Sequence, residues 1–253
     1  MKIVQITDLH VGKEGEDTFG IDVRANCINI LQAVAERKPD YLVISGDLCY
    51  NQADPEIYAW IKTRVDQLGI PYEVIPGNHD DSTLLAQAYG YSDLLVDGQM
   101  YFTRNWGGQT VIFLDSCPNE LGKIQLLWLE KKLQELSGSL IVFIHHPPVL
   151  ADVLFMDRHH PLENPAELQR ILAAYPDPID VFCGHYHVDK FVHWGKHMIY
   201  LTPSGYFQIN QTLETFHVDH ERVGYREIHV EADRLITAVS YLEGTKMPSE
   251  NRG

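Results

Sequence analysis

Five short polar clusters carry most of the chemistry in this sequence. They are Asp8-Leu9-His10, Gly46-Asp47, Gly77-Asn78-His79-Asp80, His145-His146-Pro147-Pro148 and Gly184-His185-Tyr186-His187. Asp, His and Asn offer oxygen and nitrogen donors of the kind that hold Mn, Fe or Zn, and no thiolate stands among them. Each cluster alone has a plain structural reading. Asp8 suits a helix or turn cap, Asp47 and Asn78-His79 suit turns, and His185 and His187 suit a half-buried strand end. Together they read as a metal site, because every cluster directly follows a short apolar run.

Those runs are the elements that must position the donors. Lys2–Thr7, Tyr41–Ser45, Tyr72–Ile75, Leu140–Ile144 and Ile179–Cys183 read as buried strands. Open α/β sheets bind ligands outside the carboxyl ends of their strands, which is where all five clusters fall. Helices are predicted over Asn26–Arg37, Pro55–Leu68, Leu121–Leu136 and Pro165–Tyr175, with Asn164 as a cap, and a short one from a Ser82 cap to Tyr89. The apolar face of Leu121–Leu136 is read as Ile124, Leu127, Trp128 and Leu133. Met100–Arg104 and Thr110–Leu114 form a hairpin about Gly107-Gly108. Beyond Gly184 the chain reads as strands: Phe191–Trp194, Met198–Thr202, Thr212–Val218, Gly224–Val230 and Leu235–Leu242. The class is α/β, with a β-rich last quarter that forms or completes a second sheet.

In order and spacing, the five clusters resemble the motif set of the calcineurin-like metallophosphoesterases. His145-His146-Pro147-Pro148 and the chain length are most similar to the class III cyclic nucleotide phosphodiesterase and glycerophosphodiesterase branch. The resemblance spans residues 1–243. It implies a four-layer αββα sandwich and a single domain over 1–243, β-rich from about residue 189; the polar composition of 244–253 reads as a frayed tail. The resemblance also implies two divalent metal ions, Mn, Fe, Zn or Co. Asp8, His10, Asp47 and His187 surround one; Asp47 bridges to a second held by Asn78, His145 and His185. His79 faces the substrate, as catalytic partner to Asn78 and Asp47. On that pattern a hydroxide bridging the metals attacks phosphorus, and His79 stabilises the transition state or protonates the leaving alkoxide. The chain departs from many cyclic-nucleotide members at Val188-Asp189-Lys190, where they place an Arg after the second histidine.

Charge points to a small diester. Two divalent ions, two aspartates and a hydroxide leave a net of about +1, which fits a phosphodiester monoanion. A monoester dianion calls for further cations. Among the motif loops only Lys190 is nearby, with Arg104 and Arg158 as residues that could fold inward. The most direct reading is a cyclic-nucleotide phosphodiesterase, 3′,5′ or 2′,3′; a glycerophosphodiesterase and a phosphomonoesterase or protein phosphatase are the alternatives. The 253 residues hold 20 Lys+Arg against 35 Asp+Glu, a net charge of −15. Such a surface repels nucleic acid polymers and anionic membranes, so neither is an expected partner. Cys27, Cys49, Cys117 and Cys183 form no CxxC pair and suit a reducing compartment. With no apolar run of membrane length, the expected location is cytoplasmic. Strand edges in the last quarter leave room for a homodimer. His146 reads as packing or as bracing the site, and His159 and His160 as loop residues, solvated or lining a pocket.

Overall fold

The computed structural model describes residues 1–247. Its elements are β1 (Lys2–Ile6), α1 (Val23–Arg37), β2 (Tyr41–Ser45), α2 (Pro55–Asp66), β3 (Tyr72–Ile75), α3 (Ser82–Tyr89), the two-residue strands β4 (Leu95–Val96) and β5 (Gln99–Met100), β6 (Phe102–Trp106), β7 (Gln109–Phe113), α4 (Lys123–Glu135), β8 (Leu140–Phe143), α5 (Leu154–His159), α6 (Pro165–Ala174), β9 (Ile179–Cys183), β10 (Lys190–Trp194), β11 (His197–Leu201), β12 (Gln208–Ile209), β13 (Val218–His220), β14 (Val223–Val230) and β15 (Leu235–Leu242).

Two sheets form the centre. The first runs β15-β14-β1-β2-β3 and the second β10-β11-β9-β8-β7-β6. β1, β2 and β3 are mutually parallel, as are β7, β8, β9 and β11. Strand residues point to alternate faces, so a parallel strand covered on both sides reads as an unbroken apolar run. In the second sheet Phe113, Phe143 and Phe182 turn toward the first sheet, while Ile112, Val142 and Val181 turn toward the cluster holding α4 and α6. Aromatic rings cross the sheet in the inter-sheet layer: Phe102–Phe113 at 4.7 Å, Phe113–Phe143 at 5.5 Å, Phe143–Phe182 at 5.4 Å and Phe182–Tyr200 at 4.7 Å between centroids. α1, α2 and α3 bury Ile30, Ile61 and Leu85 on the first sheet's side. The layers are thus helix, sheet, sheet, helix.

The β-rich last quarter completes both sheets. β10 and β11 extend the second; β14 and β15 extend the first. Several expectations are corrected. Of the strand expected over Thr212–Val218, only Val218 is in one, as the first residue of β13; 212–217 form a loop. Asn210 Oδ1 accepts hydrogen bonds from Thr212 N, Thr212 Oγ1 and Leu213 N, which folds the segment into a local turn and takes its donors from any ladder. α4 buries Gln125, Leu126, Leu129 and Leu133 and leaves Ile124 and Leu127 exposed. Its phase is set by Gln125, whose amide donates to Asp115 O and accepts from Asp115 N. α3 is capped by Asp81, not Ser82, through Leu84 N at 2.8 Å. Asn164 stands at the N-cap of α6 as expected, but its side chain makes no capping bond and pairs instead with both backbone groups of Leu121. The stretch after Pro148 contains α5, where a loop was expected. The start of the polar tail is not frayed: Asp22 N donates to Thr245 O, and Met247 N to Gly20 O. Its residues 248–253 lie outside the described residues. Among the described residues no helix is long and apolar enough to cross a membrane.

Candidate metal centre and substrate cavity

The carboxyl ends of β1, β2, β3, β8 and β9 converge, and the loops they enter are stitched together. Asp8 N donates to Gly46 O, His10 N to Asp47 O, and Gly184 N to His145 O. Asp8 also joins the two sheets directly, since its carboxylate accepts from His185 N at 3.0 Å. Asp80 binds the β2 and β3 loops, accepting from Leu48 N, Cys49 N, Gly77 N and the Tyr58 hydroxyl. A Cβ at Gly77 would collide with Asp47 and lie 2.8 Å from His145 Nε2; one at Gly184 would lie 2.6 Å from Asp8 Oδ2. Only glycine lets these backbones approach so closely.

The backbone is strained at the same place. Among the described residues, nine non-glycine residues have positive φ, and five of them are Asp8 (52°), His10 (44°), Asp47 (52°), His185 (68°) and His187 (51°). Left-handed conformations cost these residues energy and cluster at functional sites where surrounding structure enforces them.

Among the described residues the donor atoms gather in three overlapping groups: Asp8 with His10 and His187, Asp47 with His145 and His185, and His10 with Asp47 and His79. In the first, His187 Nε2 lies 3.3 Å and His10 Nε2 4.0 Å from Asp8 Oδ1, and His10 Nε2 lies 3.6 Å from Asp47 Oδ2. In the second, His145 Nε2 lies 3.3 Å from Asp47 Oδ2 with His185 alongside. Asn78 lines the same cavity. All the predicted site residues are therefore brought together. His79 also sits near His10 and Asp47: its backbone N donates to Asp47 Oδ1 at 2.9 Å, and its ring stands edge-on to His10 with centroids 4.9 Å apart.

Backbone carbonyls set the tautomers of three of these histidines. His145 Nδ1 donates to Ser45 O at 2.8 Å, His187 Nδ1 to Phe207 O at 3.0 Å, and His185 Nε2 to His160 O at 2.9 Å. A carbonyl accepts only, so each of these nitrogens carries the proton and the opposite one keeps a lone pair when the ring is neutral. This is the arrangement that readies an imidazole for a metal. His145 Nε2 and Asn78 Oδ1 are buried without a hydrogen-bond partner, which is what ligand atoms look like before a cation is supplied. The donor set fits a divalent ion of the Mn, Fe, Zn or Co kind.

Charge interactions agree. Burial pushes the Asp8 carboxyl up, but His187 and His145 beside it prevail and hold it at about 2. Burial acts the same way on Asp47, and His145 and His10 hold it well below the usual carboxylate range. Burial lowers His10 and His185 to about 3. It acts the same way on His145, where Asp47 and Asp8 outweigh it and raise the imidazole to about 9.

His146 is not placed as a ligand. Both of its ring nitrogens are engaged, Nδ1 with Ser116 Oγ at 2.8 Å and Nε2 with Asn119 Oδ1 at 3.1 Å. Its ring packs on His185 with centroids 4.1 Å apart, so it braces that ligand candidate from behind. His160 lines the cavity and supplies the carbonyl that holds His185, whereas exposed His159 packs on Phe155.

The cavity over this centre has a volume of about 350 Å³. Besides the polar cluster it is walled by Phe19, Phe155, Phe207 and Phe216. Sequence reading missed this wall, since none of these rings lies in a motif. Among the described residues, no Lys or Arg lines the cavity. Arg104 pairs with Glu73, Arg158 with Glu214, and Lys190 Nζ donates to Asp152 O.

Comparison with known proteins gives a consistent picture. The family model for calcineurin-like phosphoesterases matches residues 1–189. A protein of Fibrobacter succinogenes named "Probable cyclic nucleotide phosphodiesterase" is 32% identical over 85% of this chain and 84% of its own length. One of Arcobacter nitrofigilis, named "Probable glycerophosphodiester phosphodiesterase GpdQ", is 29% identical over 83% of this chain and 80% of its own. Among solved structures, a dimetal phosphatase of Danio rerio superposes with a TM-score of 0.70 at 13% identity, covering 97% of this chain and 98% of its own, and so shares the fold.

Proposed function

This chain belongs to the calcineurin-like phosphoesterase family, and from that premise we propose that it hydrolyses small phosphodiesters, cyclic nucleotides foremost, at a centre of two divalent metal ions. Asp8, His10, Asp47 and His187 would hold one ion; Asp47, Asn78, His145 and His185 would hold the other. When bound, such ions supply Lewis acidity toward phosphoryl oxygens and lower the pKa of water.

The chain's own groups do the rest. Ser45 O, Phe207 O and His160 O keep His145, His187 and His185, once neutral, in the tautomer that turns a lone pair toward the site. Asp47 points one oxygen at His10 and His145 and ties the other to His79 N, so the loop carrying Asn78 and His79 follows Asp47. That tether holds the His79 ring at the cavity surface, where it can donate a proton to a leaving alkoxide or to the charge that develops on phosphoryl oxygens.

The observation that carries the diester reading is that, among the described residues, neither Lys nor Arg lines the cavity, with Arg104, Arg158 and Lys190 all engaged elsewhere. A monoester dianion would meet none of their side chains there. The identity to a relative named a glycerophosphodiester phosphodiesterase makes glycerophosphodiesters a second substrate class to assay.

The test is hydrolysis of bis(p-nitrophenyl) phosphate beside p-nitrophenyl phosphate by metal-stripped protein titrated with Mn²⁺. Metal-dependent cleavage that favours the diester is expected, and preference for the monoester would overturn the assignment.

A further inference from the structure

The cavity wall opposite the polar centre is built from phenyl rings that four separate segments bring together. Phe19 comes from the loop after β1, Phe155 from α5, Phe207 from the turn after β11, and Phe216 from the loop before β13. The rings form a continuous series. Phe19 stands edge-to-face on Phe207 at 6.3 Å, Phe216 on Phe207 at 5.8 Å, and Phe155 on Phe216 at 5.7 Å between centroids.

The outer rings of this wall are open to solvent, Phe207 is buried beneath them, and the wall is held in place. Phe19 is 65% exposed and Phe216 43% exposed. Adjoining exposed apolar rings mark a surface that meets a ligand. Phe19 adopts φ 56°, a conformation that bulky residues avoid, so the fold spends strain to present this ring. The segment carrying Phe216 is tied to α5 by a two-pronged ion pair, Arg158 NH1 and NH2 on the two Glu214 oxygens at 2.5 and 2.9 Å. Phe207 O holds His187, so the ring that Phe19 and Phe216 share sits on a residue that orients the polar centre.

A polyol needs hydrogen-bond partners and a second phosphate needs cations; phenyl rings supply neither. A planar aromatic group stacks on them favourably. We propose that Phe19, Phe207 and Phe216 form a subsite for a planar aromatic ester group, so that the chain selects phosphodiesters bearing a nucleobase over those bearing glycerol or an alkyl chain. This rests on the phosphodiesterase reading for its catalytic consequence, but not for the binding it asserts.

The test uses three diesters with one leaving group: thymidine 5′-(p-nitrophenyl) phosphate, hexyl p-nitrophenyl phosphate and methyl p-nitrophenyl phosphate. The Mn²⁺-loaded parent should favour the thymidine ester in kcat/KM. In Phe19→Leu and Phe216→Leu, which keep apolar bulk and lose the ring, the thymidine-to-methyl ratio should fall about tenfold. A hexyl ester used as well as the thymidine ester, or a ratio unchanged in both variants, would overturn the subsite. Binding is read separately on metal-free protein, by NMR saturation transfer to 3′,5′-cyclic AMP. Transfer concentrated on the base protons and lost in both variants supports the subsite even where no diester is hydrolysed. Transfer that is absent in the parent, or indifferent to both substitutions, overturns it.

Discussion

His10 Nε2 and His187 Nε2 approach to 3.1 Å, and both face Asp8 Oδ1. His187 Nδ1 is committed to Phe207 O, so the neutral ring turns its lone pair into this gap, from a segment 177 residues away in sequence. The backbone at both histidines is left-handed. A cation bound there would relieve the crowding of donors and couple the loops of β1 and β9. Chelator-stripped protein should therefore gain thermal stability on addition of Mn²⁺. At a hundredfold excess over Kd the gain is about 2.7 kcal/mol, roughly 5–10 °C for a chain of this size. Differential scanning fluorimetry reads it, and a Tm indifferent to metal would refute the proposed centre.

His145 gives the pH dependence of that binding. Burial opposes its charge, but Asp47 and Asp8 raise it from 6.5 to about 9. In the metal-free fold it contributes stability that is fully present below pH 6.5 and lost as pH rises through about 9. A ligand nitrogen must be unprotonated, so loading at pH 7.5 should release about one proton from this ring, and apparent affinity should tighten as pH rises toward 9. Titration calorimetry in two buffers of unlike ionisation enthalpy counts the proton. Equal heats in both buffers would contradict the assignment.

Much of this site is legible in the sequence because parallel strands buried on both faces read as plain apolar runs. Lys2–Ile6, Tyr41–Ser45 and Ile179–Cys183 each break abruptly into Asp, Gly or His, and the break marks the sheet edge. Other features leave no such trace. The groups that set the histidine tautomers are the carbonyls of Ser45, His160 and Phe207, and a carbonyl is the same whatever its side chain. The aromatic wall joins residues as distant as Phe19 and Phe216, with no periodicity between them. The phase of α4 turns on one buried amide, Gln125, in a helix with apolar residues on several faces. The Asn210 turn defeats a strand pattern by local side-chain bonding that hydrophobicity does not register.

His79 and Asp47 should part in their effects. Asp47 belongs to two of the three donor groups, whereas His79 belongs to one and is also tied to Asp47 through its backbone N. His79→Ala should lower turnover roughly 10²–10⁴-fold, the range of a general acid, while metal content stays at the parent level. Asp47→Ala should lose at least one equivalent of metal. Elemental analysis beside kinetics separates the two, and loss of both metals in His79→Ala would make it a ligand.

Asp115 provides a stability prediction away from the centre. It is fully buried, and its oxygens accept from Met100 N at 2.7 Å and Cys117 N at 2.8 Å. Burial outweighs these bonds and raises the carboxyl from 3.8 to about 7. The unfolded chain gives up this proton first as pH rises, so Asp115 costs no stability below about pH 3.8 and progressively more up to about pH 7, on the order of 4 kcal/mol in all. Asp115→Asn is neutral throughout and lacks this slope, although it loses one acceptor. In urea unfolding, the stability of the variant minus that of the parent should therefore climb between pH 4 and pH 7. Other titrating groups cancel in that difference, so a flat line would mean that Asp115 is ionised inside the fold and that its two backbone donors outweigh its burial.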